Sequence, residues 1–295
     1  MKEKVVIGLW PLSGDFGKIN INDFERTINF CLESKLESFD VAPNYGKGFA
    51  EKALGEIYGG KVRLKINTKC GNNQSGVKDF SVSSLRRSIE TSMENMKVSS
   101  VNTLFLHNPR NEISSYEPIM KLMSDLKSEQ IIKFSAISVA KGFDYGKIPE
   151  FDAIQFDCNL LYLQELKKYQ KKFKKTYARS PLASGILSGK LTNMSRFPSD
   201  DHRSEWLIKD RLSYIVSRVE ELDEIKGSFT LPSISRKFLL QNKNINKVIF
   251  GVKSIDHVKD LVEDLKAPHL DDNLMQSIVN IEKKRSGAEN DLKGF

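Results

Sequence analysis

The sequence predicts a single (β/α)8 TIM barrel spanning residues 1–295, on three observations. Eight short, apolar, β-rich runs alternate with helical patterns, the mark of βαβ units and a parallel sheet. Barrels of this class use roughly 250 residues or more as one domain, so the length calls for no second one. Three of the runs close on chemistry-bearing side chains, Asp40, Lys69 and His107. Barrel enzymes collect their chemistry at such C-terminal strand ends.

Taken in order, the predicted strands are Val5–Leu9, Glu37–Asp40, Arg63–Lys69, Thr103–His107, Lys133–Val139, Ala153–Phe156, Lys175–Ser180 and Lys247–Phe250. Helical stretches between them include Asp23–Ser34, Val82–Met96, Pro118–Glu129 and Ile255–Asp264. Asn22-Asp23 and Ser81 to Ser84 supply N-cap residues, and Gly59-Gly60 ends the helix that follows Phe49. The longest strand-free stretch, Gly189 to Ile245, holds a polar loop and two helices near Asp210–Ile225 and Pro232–Asn242. Long loops after barrel strands shape substrate pockets. A final helix, Asp271–Lys284, reads as a cover on the bottom or side, followed by a loose tail over 285–295. No internal repeat or linker divides the chain.

Composition excludes several classes. The apolar fraction is 39%, enough for a full core. No run approaches the roughly 18 apolar residues of a membrane helix. Met1 to Trp10 lacks the pattern of a signal peptide, since Pro11 and Asp15 interrupt a short apolar stretch. Cys31, Cys70 and Cys158 are odd in number and widely spaced. That argues against a disulfide framework or a zinc site and fits a reduced cytoplasm. Much of the net charge of +8 comes from one stretch, Lys167, Lys168, Lys171, Lys172, Lys174 and Lys175. This run reads as a solvated helix face, with Tyr169 and Phe173 turned toward the barrel wall, rather than as a nucleic-acid platform. A monomer or weak homo-oligomer is expected.

The segment Phe39-Asp40-Val41-Ala42-Pro43-Asn44-Tyr45-Gly46-Lys47-Gly48 carries the most chemistry. It sets a carboxylate and a phenol five residues apart in a Gly-rich turn before a helix. Lys69 adds an amine and His107 an imidazole. On one barrel face the four suit proton transfer to a carbonyl oxygen. A free phenol has a pKa near ~10, a poor match to neutral pH, and a neighbouring ammonium lowers it. Lys69 is placed to do so, with Asp40 keeping it charged. Singly, each residue has a plainer reading: His107 as a packed core residue, Asp40 and Lys69 as a buried ion pair.

At these residues the chain resembles the aldo-keto reductases. Their signature F-D-T-A-x-x-Y-G-x-G-x-x-E-x-x-L-G matches Phe39 to Gly55, with Val41 in place of Thr. Asn67-Thr68-Lys69-Cys70-Gly71 looks like the family's S-T-K-x-G, and Leu104 to Pro109 like its L-x-L-H-x-P. The resemblance runs from about Val5 to Lys266. It implies Tyr45 as general acid assisted by Asp40, Lys69 and His107, with hydride from a nicotinamide cofactor, NADP(H) in preference to NAD(H). Ser180-Pro181-Leu182-Ala183-Ser184-Gly185 resembles the family's pyrophosphate-holding S-P-L-x-x-G loop. Arg179 stands where the family has a Tyr stacked on the nicotinamide, a role its planar guanidinium can take. Gly251-Val252-Lys253-Ser254 resembles the G-x-R-S/T that grips the adenosine 2′-phosphate at a helix N-terminus. The family's following Q-x-x-E-N becomes His257, Asp260 and Leu261, so the adenine side loses its Asn. Its carboxamide-binding G-V-S-N becomes Ser138-Val139-Ala140-Lys141, which leaves Gln155 as carboxamide partner, with Asn159 nearby. Gln155 and Asn159 also read as ordinary polar strand-end residues.

The resemblance implies a reductase of an aldehyde, ketone or sugar, or the reverse dehydrogenase, acting on a small molecule. Trp10, Asn108 and Trp206 are pocket candidates, although each also reads as structural. Two alternatives stand beside it: a Schiff-base aldolase using Lys69, and a non-catalytic NADP(H)-binding regulator.

Overall fold

The computed structural model describes residues 1–285 apart from 63, 111, 145, 147, 200 and 202, and for 205, 209 and 285 the backbone alone. The expected tail therefore falls almost wholly outside the described residues. Eight parallel strands close into a barrel in chain order. They are β1 (Val5–Gly8), β2 (Ser38–Asp40), β3 (Lys65–Cys70), β4 (Val101–His107), β5 (Ile132–Ser138), β6 (Ala153–Asp157), β7 (Lys175–Arg179) and β8 (Lys247–Gly251). β1 seals the barrel against β8, with Val5 opposite Val248 and Gly8 opposite Gly251. Every predicted strand is present, with ends shifted by two residues at most.

Around the barrel run α1 (Ile21–Glu33), α2 (Phe49–Tyr58), α3 (Val82–Met96), α4 (Glu117–Ser128), α5 (Gln164–Tyr169), α6 (Arg203–Trp206), α7 (Lys209–Ile225), α8 (Leu231–Gln241), α9 (Ile255–Lys266) and α10 (Asp272–Arg285). The regular alternation of eight β–α pairs breaks once. The connection from β5 to β6 holds no helix among the described residues, and Gly142, Asp144 and Pro149 there are turn formers. α1 also starts earlier than expected, because Asn20 rather than Asn22 caps it, its side chain accepting from the Asp23 amide. The lysine-rich helix is shorter than its charge run. α5 stops at Tyr169, and a turn then brings Phe173 inward beside Tyr169, both buried as expected.

Alternation along the strands separates two apolar regions. Val6, Phe105, Ala136, Ala153, Tyr177 and Ile249 form the lumen, while the opposite faces pack under the helices. The edge-to-face contact of Phe105 on β4 with Tyr177 on β7 crosses between strands that are not neighbours, so it spans the interior. That plug floors the barrel and leaves polar chemistry to the strand C-termini. Among the described residues no helix is long and apolar enough to cross a membrane.

Candidate active site

β2 delivers Asp40, and the turn after it carries Tyr45 into a 3-10 turn, Tyr45–Gly48. Three consecutive residues there are left-handed, Gly46 (φ 57), Lys47 (φ 53) and Gly48 (φ 93). Gly46 has no alternative, since a Cβ would sit 2.1 Å from the Ser13 carbonyl oxygen. Two further motif residues hold the turn to the barrel. Glu51, fully buried, accepts from Thr68 Oγ1 at 2.8 Å and so ties α2 to β3. Gly55 lets α2 approach the end of α3 so closely that a Cβ would meet the Asn95 carbonyl oxygen at 1.9 Å.

β3 brings Lys69 into the same space, 1% exposed. Its ammonium donates to Asp40 Oδ1 at 2.5 Å, to the Val41 carbonyl at 2.9 Å and to the Tyr45 hydroxyl oxygen at 3.0 Å. Three acceptors use all three N–H groups. Burial works against the ammonium, but Asp40 and Tyr45 outweigh it and hold the Lys69 pKa above its ordinary value. A lysine so held is not the neutral amine a Schiff base needs. The second Asp40 oxygen accepts from Gln155 Nε2 at 3.0 Å, and Gln155 Oε1 accepts from Ser138 Oγ at 2.9 Å.

The Tyr45 phenol departs from expectation. Burial pushes its pKa up, and that outweighs the pull of the Lys69 ammonium, with Asp40 also pushing upward. The phenol is therefore protonated at neutral pH. Because its oxygen accepts from Lys69, its own O–H proton remains available to a further acceptor. His107, at the end of β4, sets its ring edge-on to Tyr45 with centroids 6.3 Å apart. Burial and then the nearby Lys69, Arg179 and Lys78 cations drive its pKa well below the ordinary imidazole value, so it is neutral. Its Nδ1 is buried with no hydrogen-bond partner.

Of the expected pocket residues, two lie beside this tetrad, Trp10 against Tyr45 and Asn108 directly after His107. Trp10, 39% exposed, stacks on Tyr45 at 6.0 Å with the rings 22° apart. Asn108 adopts φ 51, a left-handed conformation Asn tolerates, and its carbonyl accepts from Lys78 Nζ at 2.8 Å. Trp206 lies on α6 with the Arg211 guanidinium 5.8 Å from its ring.

The residues expected to meet a cofactor divide into three groups. Arg179 ends β7, where its guanidinium pairs with Asp157 at 2.9 Å and donates to the Val139 carbonyl at 3.3 Å. Gln155, 1% exposed, spends hydrogen bonds on Asp40 and Ser138. Beyond Arg179, Ser180, Ala183, Ser184 and Gly185 all have positive φ, so the chain after Pro181 and Leu182 coils tightly. At the end of β8, Gly251, Val252, Lys253 and Ser254 lead into α9, whose N-cap Ser254 makes no side-chain capping bond. Lys253 donates through Nζ to the Phe16 carbonyl and through its backbone amide to His257 Nδ1. Asp260 is exposed one turn along α9, and Leu261 is buried at 1%, where a polar side chain would find no water.

Sequence reasoning gave two residues no part in the site. Asp15 gathers donors from both loops beside Tyr45. Lys141 sits 4.0 Å over the Tyr162 ring, its pKa lowered to about 8 by burial. The only sequence signal for Lys141 was its place in a family position otherwise held by Asn.

Comparison with known proteins bears on the fold and the family. L-galactose dehydrogenase of Arabidopsis thaliana is 27% identical over 277 residues, covering 88% of this chain and 82% of that protein. Aldo-keto reductase YhdN of Bacillus subtilis (strain 168) is 23% identical over 280 residues, covering 88% and 84%. The solved glycerol dehydrogenase AKR11B4 of Gluconobacter oxydans superposes with a TM-score of 0.82 at 20% identity, covering 96% of this chain and 92% of that one. The holo form of AKR11C1 from Bacillus halodurans gives 0.76 at 20% identity, covering 94% and 91%. The model of the Aldo/keto reductase family matches residues 4–283, and the chain belongs to that family of oxidoreductases.

Proposed function

We propose that this chain reduces an aldehyde, ketone or sugar carbonyl to the alcohol, or runs the reverse, with NAD(P)H and with Tyr45 as the proton donor and acceptor. One observation carries the reading: Lys69, braced by Asp40, donates to the Tyr45 oxygen and leaves the phenolic proton to be given away. When bound, the nicotinamide dinucleotide supplies the hydride, which no side chain can. Tyr45 passes its proton to the developing alkoxide, and the Lys69 ammonium stabilises the phenolate left behind. Neutral His107 helps orient the carbonyl. Trp10 walls the pocket, with Asn108 and Trp206 as further substrate contacts.

The cofactor side fits such a dinucleotide. α9 begins with amides that no side chain caps, beside the Lys253 cation and the Ser254 hydroxyl, which supports a 2′-phosphate site and a preference for NADP(H) over NAD(H). The coil from Ser180 to Gly185 would hold the pyrophosphate, Arg179 the nicotinamide face and Gln155 the carboxamide. His257 and Asp260 border the adenosine.

The names of two similar proteins, L-galactose dehydrogenase and glycerol dehydrogenase, support a sugar or polyol as substrate. We place the protein in the cytoplasm, with three buried free cysteines in keeping. The test is a turnover screen with NADPH and NADH against aldehydes, keto sugars and pyridoxal, and with NADP and NAD against sugar alcohols. NADP(H) binding without turnover on any partner would instead favour a regulatory nucleotide binder.

A further inference from the structure

We infer that Asp15 is a positioning residue for Tyr45, an inference that rests on the proton-transfer role proposed above. Asp15 lies in the loop from β1 to α1, far in sequence from every motif residue. One of its oxygens, Oδ2, accepts from Trp10 Nε1 at 2.8 Å, from Ser13 Oγ at 3.0 Å and from the Gly46 amide at 3.2 Å. The first of these fixes the indole that stacks on the Tyr45 ring. The third holds the amide immediately after Tyr45, in a left-handed turn that no residue with a side chain can occupy against Ser13. Ser13 itself is 5% exposed and shares its one hydroxyl proton between Asp15 and the nearer Trp10 carbonyl at 2.6 Å, so the clasp is tied back to its own loop.

Tyr45 is thus held from two sides. Lys69 fixes its oxygen from within the barrel, and Asp15 fixes its backbone and its stacked neighbour from the loop above. The Lys69 contact alone does not aim the phenolic proton, because a phenol can swing about one hydrogen bond. Aim matters, since a misplacement of ~1 Å costs on the order of 100-fold in rate. The loop extends the hold to the cofactor side. Phe16 packs edge-on to Trp10 with centroids 4.8 Å apart, and its carbonyl accepts from Lys253.

Asp15→Ala and Asp15→Asn test this, with folding checked by circular dichroism and NADPH affinity measured by titration. Loss of the clasp is expected to lower kcat on the order of 10- to 100-fold and to weaken NADPH by less than that, since Asp15 reaches the expected cofactor residue Lys253 only through Trp10 and Phe16. Asp15→Asn keeps an acceptor oxygen at the same reach and is expected to recover most of the rate. The steady-state fluorescence of Trp10, read in a Trp206→Phe background, is expected to shift in Asp15→Ala and to stay put in Asp15→Asn. Trp10→Phe removes one of the three donors and gives a second route to a partial loss. The idea is overturned by an Asp15→Ala kcat within twofold of wild type, or by Asn failing to rescue a folded enzyme. A wild-type protein that turns over no carbonyl would overturn the functional reading instead, which the same assay separates.

Discussion

Gln155 on β6 donates to Asp40 on β2 at 3.0 Å, across a barrel in which those strands are not neighbours. With Lys69 on its other oxygen, the Asp40 carboxylate is satisfied at both ends and cannot turn away. A buried carboxylate fixed this way keeps the ammonium charged and in place, which is the condition for Lys69 to act on Tyr45. Gln155 thereby joins the proposed proton-handling network as well as the proposed nicotinamide pocket.

Tyr45→Phe should abolish turnover and leave NADPH binding intact. Among the described residues the phenol is the only hydroxyl that Lys69 reaches, and losing a positioned general acid costs on the order of 10²–10⁴ in rate. Steady-state kinetics beside a binding titration decide it. A variant that kept most of the wild-type kcat would remove Tyr45 from the chemistry.

The pH dependence should be plain at the acid end and pronounced at the alkaline end. His107 has its pKa driven well below ~6.5, so it stays neutral through that region and reduction should show no inflection there. Tyr45 has its pKa raised above ~10, so the proton-donating form persists through the neutral range and is lost only as pH climbs past that raised value. Oxidation needs the phenolate and should rise over the same alkaline span. An inflection near neutrality that disappears on mutating His107 would contradict this account.

Much of this is legible in the sequence alone. Asp40, Tyr45, Lys69 and His107 could be placed together because strand C-termini share a face and the motif spacing fixes which residue ends each strand. Apolar runs marked all eight strands for the same reason, burial on both faces. What stayed hidden depends on contacts between loops distant in sequence. Asp15 in a Gly-rich turn looks like any turn former, and only the folded loop shows it gathering three donors. The phenol's raised pKa was hidden too: sequence names the ammonium beside Tyr45 but not how far burial outweighs it. That the described residues between β5 and β6 form no helix was readable in Gly142, Asp144 and Pro149, against the pull of a regular eightfold pattern.

Lys253→Ala should weaken NADPH more than NADH, by about 1.5–3 kcal/mol for a lost charge-assisted contact. The cation now donates to the Phe16 carbonyl, so part of any loss will fall on both cofactors through the loop. The selective part is the difference between the two titrations. Equal weakening would show that Lys253 does not read a 2′-phosphate.

Gly55→Ala should destabilise the fold without touching the chemistry directly. A Cβ there would meet the backbone oxygen of Asn95 at 1.9 Å, which cannot yield as a flexible side chain would. Overpacking of this kind costs about 1–3 kcal/mol or more. Urea denaturation gives the number, and an unchanged midpoint would mean that α2 and α3 separate easily.

Lys69→Met should raise the pH needed for alcohol oxidation as well as slow it. Burial already lifts the Tyr45 pKa, and the Lys69 ammonium is the largest influence pulling it back down. Removing that cation lets the phenol pKa climb further, so the phenolate that oxidation needs forms only at higher pH. Met keeps the length and stays apolar, which limits the packing disturbance. Asp40 keeps Gln155 but loses its counter-charge, and a buried charge left unpaired destabilises by about 3–5 kcal/mol. Circular dichroism and a thermal melt must therefore show a folded variant before its kinetics are read. In a folded variant, the alkaline limb of the oxidation profile should move to higher pH. A limb that stays at its wild-type position would mean that Lys69 braces Asp40 and does not tune Tyr45.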